Sequence, residues 1–135
     1  MWSMHGKVAV VSGAAQGLGK ATALALAEAG ADLVLIDRNL AAAQQTEQQI
    51  KALGRRTLVS GCNVSDPQSI AELFQTIDSQ FSSVDFLGNI AGDGCLAKPE
   101  ELSIPDLQRV LQNLVIGRFA MCQEAGRRML RQGHG

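Results

Sequence analysis

Short apolar runs alternate with longer amphipathic segments along the whole chain. Four runs have the length and aliphatic character of buried strands: Lys7–Ser12, Asp32–Asp37, Arg56–Cys62 and Val84–Asn89. Between and after them, apolar residues recur at helical spacing, which predicts helices over residues 18–29, 40–53, 65–81 and 104–131. Three of these segments are followed by a glycine that can form a left-handed C-terminal cap: Gly30, Gly54 and Gly133.

Two of the predicted helices begin with recognisable capping sequences. Ser65-Asp66-Pro67-Gln68 places a hydroxyl at the predicted cap, a proline in the first turn and a glutamine at the capping-box position. Ser103-Ile104-Pro105-Asp106 is a second capping sequence, before the last helix. Four strands that alternate with four helices predict an α/β fold, because each crossover between parallel strands needs a helix. The sheet is expected to carry helices on both faces, and 135 residues suffice for one domain.

Composition excludes several classes of function. Twelve basic and 13 acidic side chains give a net charge of −1, which provides no electrostatic footprint for nucleic acid or an anionic membrane. The longest uncharged stretch, Val8–Gly19, is too short to span a bilayer. Residues 1–7 lack the apolar core of a signal peptide, so we expect a cytoplasmic location.

The residues that could bind a metal or form disulfides are few and dispersed. Cys62, Cys95 and Cys122 are odd in number and far apart, which excludes a disulfide framework and a CxxC site. His5 and His134 lie near opposite ends of the sequence. We therefore expect no metal site.

The first predicted strand runs into a glycine-rich loop that opens a helix. Residues Gly13–Gly19 have the spacing G-x-x-x-G-x-G. Glycines let a backbone approach a pyrophosphate closely, and a helix N-terminus offers free N–H groups to phosphates. The alternative is a tight turn without a ligand. A Walker A loop is excluded because Ala14 and Ala21 occupy the positions where it needs glycine and Ser or Thr.

The second predicted strand ends in an acidic residue. Asp37 follows Gly17 by twenty positions, where a carboxylate can accept both hydroxyls of an adenosine ribose and repel a 2′-phosphate. The alternative role for Asp37 is a helix cap before Asn39. Gln16 is neutral where a basic residue could bind the extra phosphate, whereas Arg38 leaves NADP open as the less favoured cofactor. The pattern therefore favours NAD.

Three further motifs complete a family pattern. The third strand runs into Asn63-Val64, the fourth into Asn89-Ile90-Ala91-Gly92, and the last helix contains Asn113-x-x-x-Gly117. With the glycine loop and Asp37, these motifs resemble the short-chain dehydrogenase/reductase family, in that family's order and over nearly all of the chain. The resemblance implies a Rossmann-type, doubly wound parallel sheet of order 3-2-1-4. It also implies that residues 1–135 are a single NAD(P)-binding domain, truncated before a fifth strand.

The resemblance also assigns roles to individual residues. Asn63 would bind the adenine amino group through its amide oxygen, with a backbone contact from Val64 beside it. Asn113 would support catalysis by helping to hold a proton-relay water, although it could equally accompany a helix irregularity. The cofactor-binding residues implied by the family are Gly13, Gln16, Gly17, Leu18, Gly19, Asp37, Arg38, Asn63, Val64, Asn89, Ala91 and Gly92.

The catalytic serine, tyrosine and lysine of the family are expected after a fifth strand. The sequence contains no tyrosine, so we expect the chain alone to be inactive. The resemblance implies the cofactor-binding half of an NAD(P)-dependent oxidoreductase that transfers hydride between nicotinamide and an alcohol or ketone. The alternatives are a non-catalytic dinucleotide-binding module and an inactive fragment. Because the family's long helix joins a subunit interface, self-association or a homo-oligomer is also expected.

Overall fold

The computed structural model describes residues 2–135. Within that range the strands are β1 (Val8–Ser12), β2 (Asp32–Ile36), β3 (Thr57–Ser60) and β4 (Phe86–Asn89). The helices are α1 (Gly17–Glu28), α2 (Leu40–Ala52), α3 (Pro67–Gln80), α4 (Ile104–Leu111) and α5 (Arg118–Gln132). A π-helical segment, Gln112–Gly117, joins α4 to α5.

The four strands form one parallel sheet in the order β3-β2-β1-β4. Val10 at the middle of β1 lies opposite Val34 of β2 and Leu87 of β4. The predicted doubly wound sheet and its strand order are therefore confirmed. β3 is shorter than predicted because its partner β2 ends at Ile36, which pairs with Ser60. Cys62, two residues further on, consequently lies outside the ladder.

The core consists of two layers, one on each face of the sheet. Side chains of consecutive strand residues point to opposite faces, so Val10 belongs to one layer and Ala9 to the other. Ile70 and Phe74 of α3 and Met121 of α5 cover the first face. The alanine-rich helix α1 packs closely on the second face, together with α2.

The start of α3 differs in detail from the prediction. Asp66, and not Ser65, is the N-cap residue, and its carboxylate accepts a hydrogen bond from the Gln68 backbone N–H at 3.0 Å. Pro67 occupies the first helical position, where it has no N–H group that needs a partner. The Ser65 N–H instead donates to the side-chain oxygen of Asn63 at 3.1 Å, which tightens the loop after β3.

The prediction of one continuous α-helix over residues 104–131 is wrong, because the helix is interrupted. The π-helical segment interrupts it where the chain packs against the loop after β3. A Cβ atom at Gly117 would overlap the carbonyl oxygen of Val64, and Gln112 Nε2 donates to the carbonyl oxygen of Ser65 at 2.8 Å. The wider π turn therefore coincides with a close contact between this segment and the loop after β3. The spacing of apolar residues along the sequence does not reveal that contact.

The apolar face predicted for the last helix is largely uncovered. Met121 is buried, but α4 contains no buried residue, and β4 pairs on one side only within residues 2–135. The large apolar side chains exposed along α4, the π-helical segment and α5 include Ile104, Leu107, Leu111, Val115, Ile116 and Phe119.

A buried carboxylate links the starts of β1 and β4. Asp85, whose side chain is 4% exposed, accepts hydrogen bonds from the Val8 N–H at 2.9 Å and the Ser83 hydroxyl at 2.7 Å. Lys7 Nζ lies 3.1 Å away and His134 Nδ1 lies 3.0 Å away. Burial raises the pKa of Asp85, but the hydrogen bonds from Val8, Ser83 and Lys7 outweigh it and hold the pKa below its ordinary value of 3.8.

We predict that Asp85 makes the stability of the fold acid-sensitive. A carboxylate with a lowered folded-state pKa stabilises the fold above its unfolded pKa, and this contribution is lost as the pH falls through the folded pKa. Replacing Asp85 with Asn should reduce the free energy of unfolding by about 2 kcal/mol near neutral pH. Below the ordinary pKa of 3.8, the wild type should lose this advantage and approach the variant.

Denaturant unfolding as a function of pH measures this effect. Glu100→Gln, at an exposed acidic position, is the matched control and should follow the wild-type curve. Parallel pH profiles for the wild type and Asp85→Asn would show that the buried carboxylate does not supply the acid sensitivity.

Candidate functional site

The carboxyl ends of all four strands open into one cleft of about 380 Å³. Ligands of open parallel sheets bind at this edge, because the loops leaving the strands diverge there. Twelve of the thirteen residues predicted for the site line the cleft: Gly13, Gln16, Gly17, Leu18, Gly19, Asp37, Arg38, Asn63, Val64, Ala91, Gly92 and Asn113. Four further lining residues were not predicted: Ile36, Cys62, Ser65 and Ile90.

The glycine loop brings the start of α1 against the end of β1. Gly13 has φ +73° and Gly17 has φ +54°, a left-handed conformation that other residues rarely adopt. At Gly19 the backbone contact is so close that a Cβ atom would overlap the carbonyl oxygen of Gly13. The corresponding position at Gly17 faces open space. The loop thus combines close helix–strand packing with an open approach to the helix terminus.

The N-terminus of α1 has the electrostatic character of an anion site. No side chain caps it at Gln16, and no acidic residue lies in its first turn. The first N–H groups of a helix have no partner within the helix, and the helix dipole places partial positive charge there. A phosphate group in the cleft would satisfy these N–H groups.

Asp37 connects the glycine loop to the start of α2. One carboxylate oxygen accepts a hydrogen bond from the Ala15 N–H at 3.0 Å, and the other accepts from the Asn39 N–H at 2.9 Å. The helix cap is Asn39, whose side chain accepts from the Ala42 N–H at 3.2 Å, so Asp37 is not the cap of α2. Each oxygen of Asp37 keeps a lone pair for a ligand in the cleft.

The loop after β3 forms the wall on the far side of Asp37. Asn63 is exposed, and one lone pair of its amide oxygen is used by the Ser65 N–H. Cys62 is buried in this wall, and its sulfur accepts a hydrogen bond from the Ser69 hydroxyl at 3.4 Å. Burial is the largest cause of a raised thiol pKa at Cys62, and the nearby charges of Asp66 and Glu72 raise it further. This thiol therefore forms part of the cleft wall.

The loop after β4 is held by Ser12 at the end of β1. The Ser12 hydroxyl is fully buried and accepts hydrogen bonds from the N–H groups of Ile90 and Ala91, both at 3.0 Å. Asn89 is the predicted residue that does not line the cleft. Its side-chain amide donates to the carbonyl oxygen of Arg118 at 2.9 Å, so it ties β4 to α5.

Asn113 lies in the π-helical segment and also lines the cleft. It is 6% exposed, and its amide nitrogen donates to the carboxylate and the main-chain carbonyl of Asp93. The sequence left open whether this asparagine belongs to the site or to a helix irregularity, and the structure places it in both. Sequence reasoning did not identify Asp93 because it lies in a loop without a periodic pattern.

The fold and the cleft define a Rossmann-type α/β protein, and comparison with known proteins identifies its family. The family model described as short chain dehydrogenase matches residues 7–135. The chain therefore belongs to the short-chain dehydrogenase/reductase family of oxidoreductases.

Individual relatives show the same similarity. D-threitol dehydrogenase of Mycolicibacterium smegmatis is 39% identical over 134 residues, which are 98% of this chain and 51% of that relative. The crystal structure of NAD⁺-bound xylitol dehydrogenase superposes with a TM-score of 0.93 at 32% identity, covering 98% of this chain and 51% of that one. 7α-Hydroxysteroid dehydrogenase complexed with NADH and 7-oxo glycochenodeoxycholic acid gives 0.91 at 31% identity, covering 97% and 51%.

The chain spans about half the length of the curated relatives that it matches. Across residues 2–135, no helix combines the length and apolar character needed to cross a membrane. In the same range, His, Cys, Asp and Glu side chains do not gather in groups of three or more that could hold a metal ion.

We predict that Gly19 cannot carry a side chain without loss of stability. Gly19→Ala would force the glycine loop away from α1, because the added methyl group would overlap the Gly13 carbonyl oxygen. The expected loss is about 1–3 kcal/mol, the usual cost of overpacking a close contact. Thermal unfolding of the purified chain measures this loss.

Gly126→Ala in α5 is the matched control. A Cβ atom there would have no neighbour within 4 Å, so the substitution should stabilise the helix by about 0.5–1 kcal/mol. A Gly19→Ala variant as stable as the wild type would show that the loop and helix do not need their close contact.

Proposed function

We propose that residues 1–135 form the cofactor-binding domain of an NAD-dependent oxidoreductase that transfers hydride between nicotinamide and an alcohol or ketone. The observation that carries this proposal is the cleft in which an uncapped helix N-terminus lies beside the carboxylate of Asp37. Membership of the family supports it, as do relatives named for their action on D-threitol and a hydroxysteroid. Two similar structures contain NAD⁺ or NADH.

The central part of the cleft would hold the pyrophosphate. The left-handed backbone at Gly13 and Gly17 would let a pyrophosphate approach the loop closely. Leu18 and Gly19 supply first-turn N–H groups of α1. A diphosphate here would be neutralised by main-chain dipoles and not by basic side chains. Gln16 is exposed at the rim and adds no charge.

The adenosine half would lie over β2 and β3. Asp37 would accept hydrogen bonds from the ribose hydroxyls through the lone pairs that Ala15 and Asn39 leave free. Asn63 and Val64 would flank the adenine. The negative charge of Asp37 disfavours a 2′-phosphate, which is the basis for proposing NAD. Arg38 lies beside Asp37 in the cleft and could attract a 2′-phosphate, so NADP is proposed as the weaker ligand.

The nicotinamide half would lie over the end of β4, against Ala91, Gly92 and Asn113. When bound, the nicotinamide supplies the hydride chemistry, and the residues of this chain bind and orient it. The sequence contains no tyrosine, so the phenol that the family uses as an acid/base would come from outside these 135 residues. Asn113 would then have a supporting catalytic role.

A second candidate function is a dinucleotide-binding module without catalysis. This candidate would account for the absence of tyrosine from the sequence. Under both candidates the 135 residues alone are expected to bind NADH without turnover. The candidates differ in the whole protein: one that also carries the family's catalytic residues forms NADH from NAD⁺ and a secondary alcohol such as a polyol, whereas a module does not. Both require the cleft to bind the dinucleotide.

We also propose that the chain self-associates through the exposed face of α4 and α5. This face carries an apolar surface whose exposure to water is unfavourable, formed by Leu107, Leu111, Val115 and Phe119. Sedimentation of the chain at increasing concentration should show a dimer or larger species, and Phe119→Ser should shift it towards the monomer. A concentration-independent monomer would contradict this proposal.

The decisive prediction for cofactor binding concerns Asp37. Asp37→Ala should weaken NADH binding by about tenfold to a hundredfold, because a charged hydrogen bond to a ligand is worth about 1.5–3 kcal/mol. It should also reduce the preference for NADH over NADPH, because the negative charge that repels a 2′-phosphate is gone. Fluorescence titration with both nucleotides measures the affinity and the preference.

Asp32→Ala is the matched control, since Asp32 lies at the opposite end of β2 and its carboxylate also accepts a backbone N–H, that of Arg56. This variant should bind NADH like the wild type. If Asp37→Ala retains both the affinity and the preference of the wild type, Asp37 does not recognise the ribose.

A further inference from the structure

One residue that lines the cleft has a buried polar atom without a hydrogen-bond partner. Asn113 is more than nine-tenths buried, and its amide oxygen is unpaired among the residues that the structure describes. A buried acceptor without a partner costs about 1–3 kcal/mol, so native structures usually pair such an atom with protein, water or ligand. Because Asn113 lines the cleft, the occupant of the cleft is the natural source of a donor.

Asp93 determines which end of the Asn113 amide remains unpaired. Its main-chain carbonyl oxygen and one carboxylate oxygen both accept from Asn113 Nδ2. These groups are acceptors only, so an amide rotated by half a turn would place its oxygen against two other oxygens. The carboxylate is held in turn by Arg109 of α4, whose Nη1 lies 3.3 Å from its second oxygen.

The strand order places Asn113 at one end of the cleft. Asp37 and the loop after β3 lie on one side of the glycine loop, whereas Asn113 contacts the segment that follows β4 on the other side. A dinucleotide whose pyrophosphate lies at the glycine loop and whose adenosine lies over β2 extends its other nucleoside towards β4. That nucleoside carries hydrogen-bond donors, namely ribose hydroxyls and a carboxamide NH₂ group.

We propose that Asp93 is a positioning residue that orients the Asn113 amide so that its oxygen accepts a hydrogen bond from the nicotinamide-riboside half of the cofactor. This inference rests on the proposed function. It adds a residue outside the strand-end motifs to the recognition of the cofactor, and it gives the Arg109–Asp93 pair a role that an exposed ion pair would not otherwise have.

The test compares binding of NADH with binding of ADP, which carries the adenosine and the pyrophosphate but lacks the nicotinamide riboside. Asp93→Ala should weaken NADH by about threefold to tenfold, the value of one hydrogen bond, and leave ADP unchanged. Asp93→Asn should restore most of the affinity, because its amide oxygen still accepts from Asn113. Glu101→Gln removes an exposed charge from the same loop and should bind both ligands like the wild type.

Two further ligands identify the donor. ADP-ribose retains ribose hydroxyls but has no carboxamide, so an equal loss of ADP-ribose and NADH affinity in Asp93→Ala assigns the donor to the ribose. A loss restricted to NADH assigns it to the carboxamide. NMR of the side-chain NH₂ group of Asn113 provides a readout without ligand, since its signals should shift in Asp93→Ala and return towards wild-type positions in Asp93→Asn.

Several results would overturn the inference. These are an unchanged NADH affinity in Asp93→Ala, an equal loss for ADP and NADH, or Asn113 NH₂ signals that do not respond to either variant. A wild-type chain that binds neither ADP nor NADH would instead refute the proposed function, and the NMR signals would then show separately whether Asp93 orients the amide.

Discussion

The whole cleft depends on one backbone contact, that of Gly19 against the carbonyl oxygen of Gly13. Because Gly19 has no side chain to overlap this oxygen, the helix α1 can start directly above the end of β1. This places uncapped N–H groups at the centre of the sheet edge, between the loops of β2 and β4. An anion that reaches this point meets the positive end of the helix dipole.

Polar side chains at the strand ends fix the positions of the neighbouring loops relative to that helix. Asp37 binds the N–H of Ala15, and Ser12 binds the N–H groups of Ile90 and Ala91. Both are tertiary contacts that replace water around otherwise unpaired backbone groups. At the opposite end of the sheet, Asp85 makes the corresponding connection between β1 and β4. The sheet is therefore held at both ends by buried or half-buried hydroxyl and carboxylate groups.

The π-helical segment shows why part of the site escaped prediction. Helical periodicity continues through residues 104–131, and nothing in that pattern marks the wider turn. The turn accompanies contacts with the loop after β3, at Gly117 and Gln112, which are distant in the sequence. Those contacts accompany the burial of Asn113 beside Asp93. The same reason applies to Asn89. The family resemblance assigned this residue to the cofactor, but its side chain donates to a carbonyl of α5.

The sequence by itself determined the alternation of strands and helices, the parallel sheet and the glycine loop at the first strand end. These follow from local hydrophobic spacing and from backbone conformations that only glycine adopts readily. Only the tertiary structure decided that Asp66 caps α3, that Cys62 and Ser65 belong to the cleft wall, and that Asp93 faces Asn113. Each of these depends on which groups remain unpaired after packing, and residues far apart along the chain supply their partners.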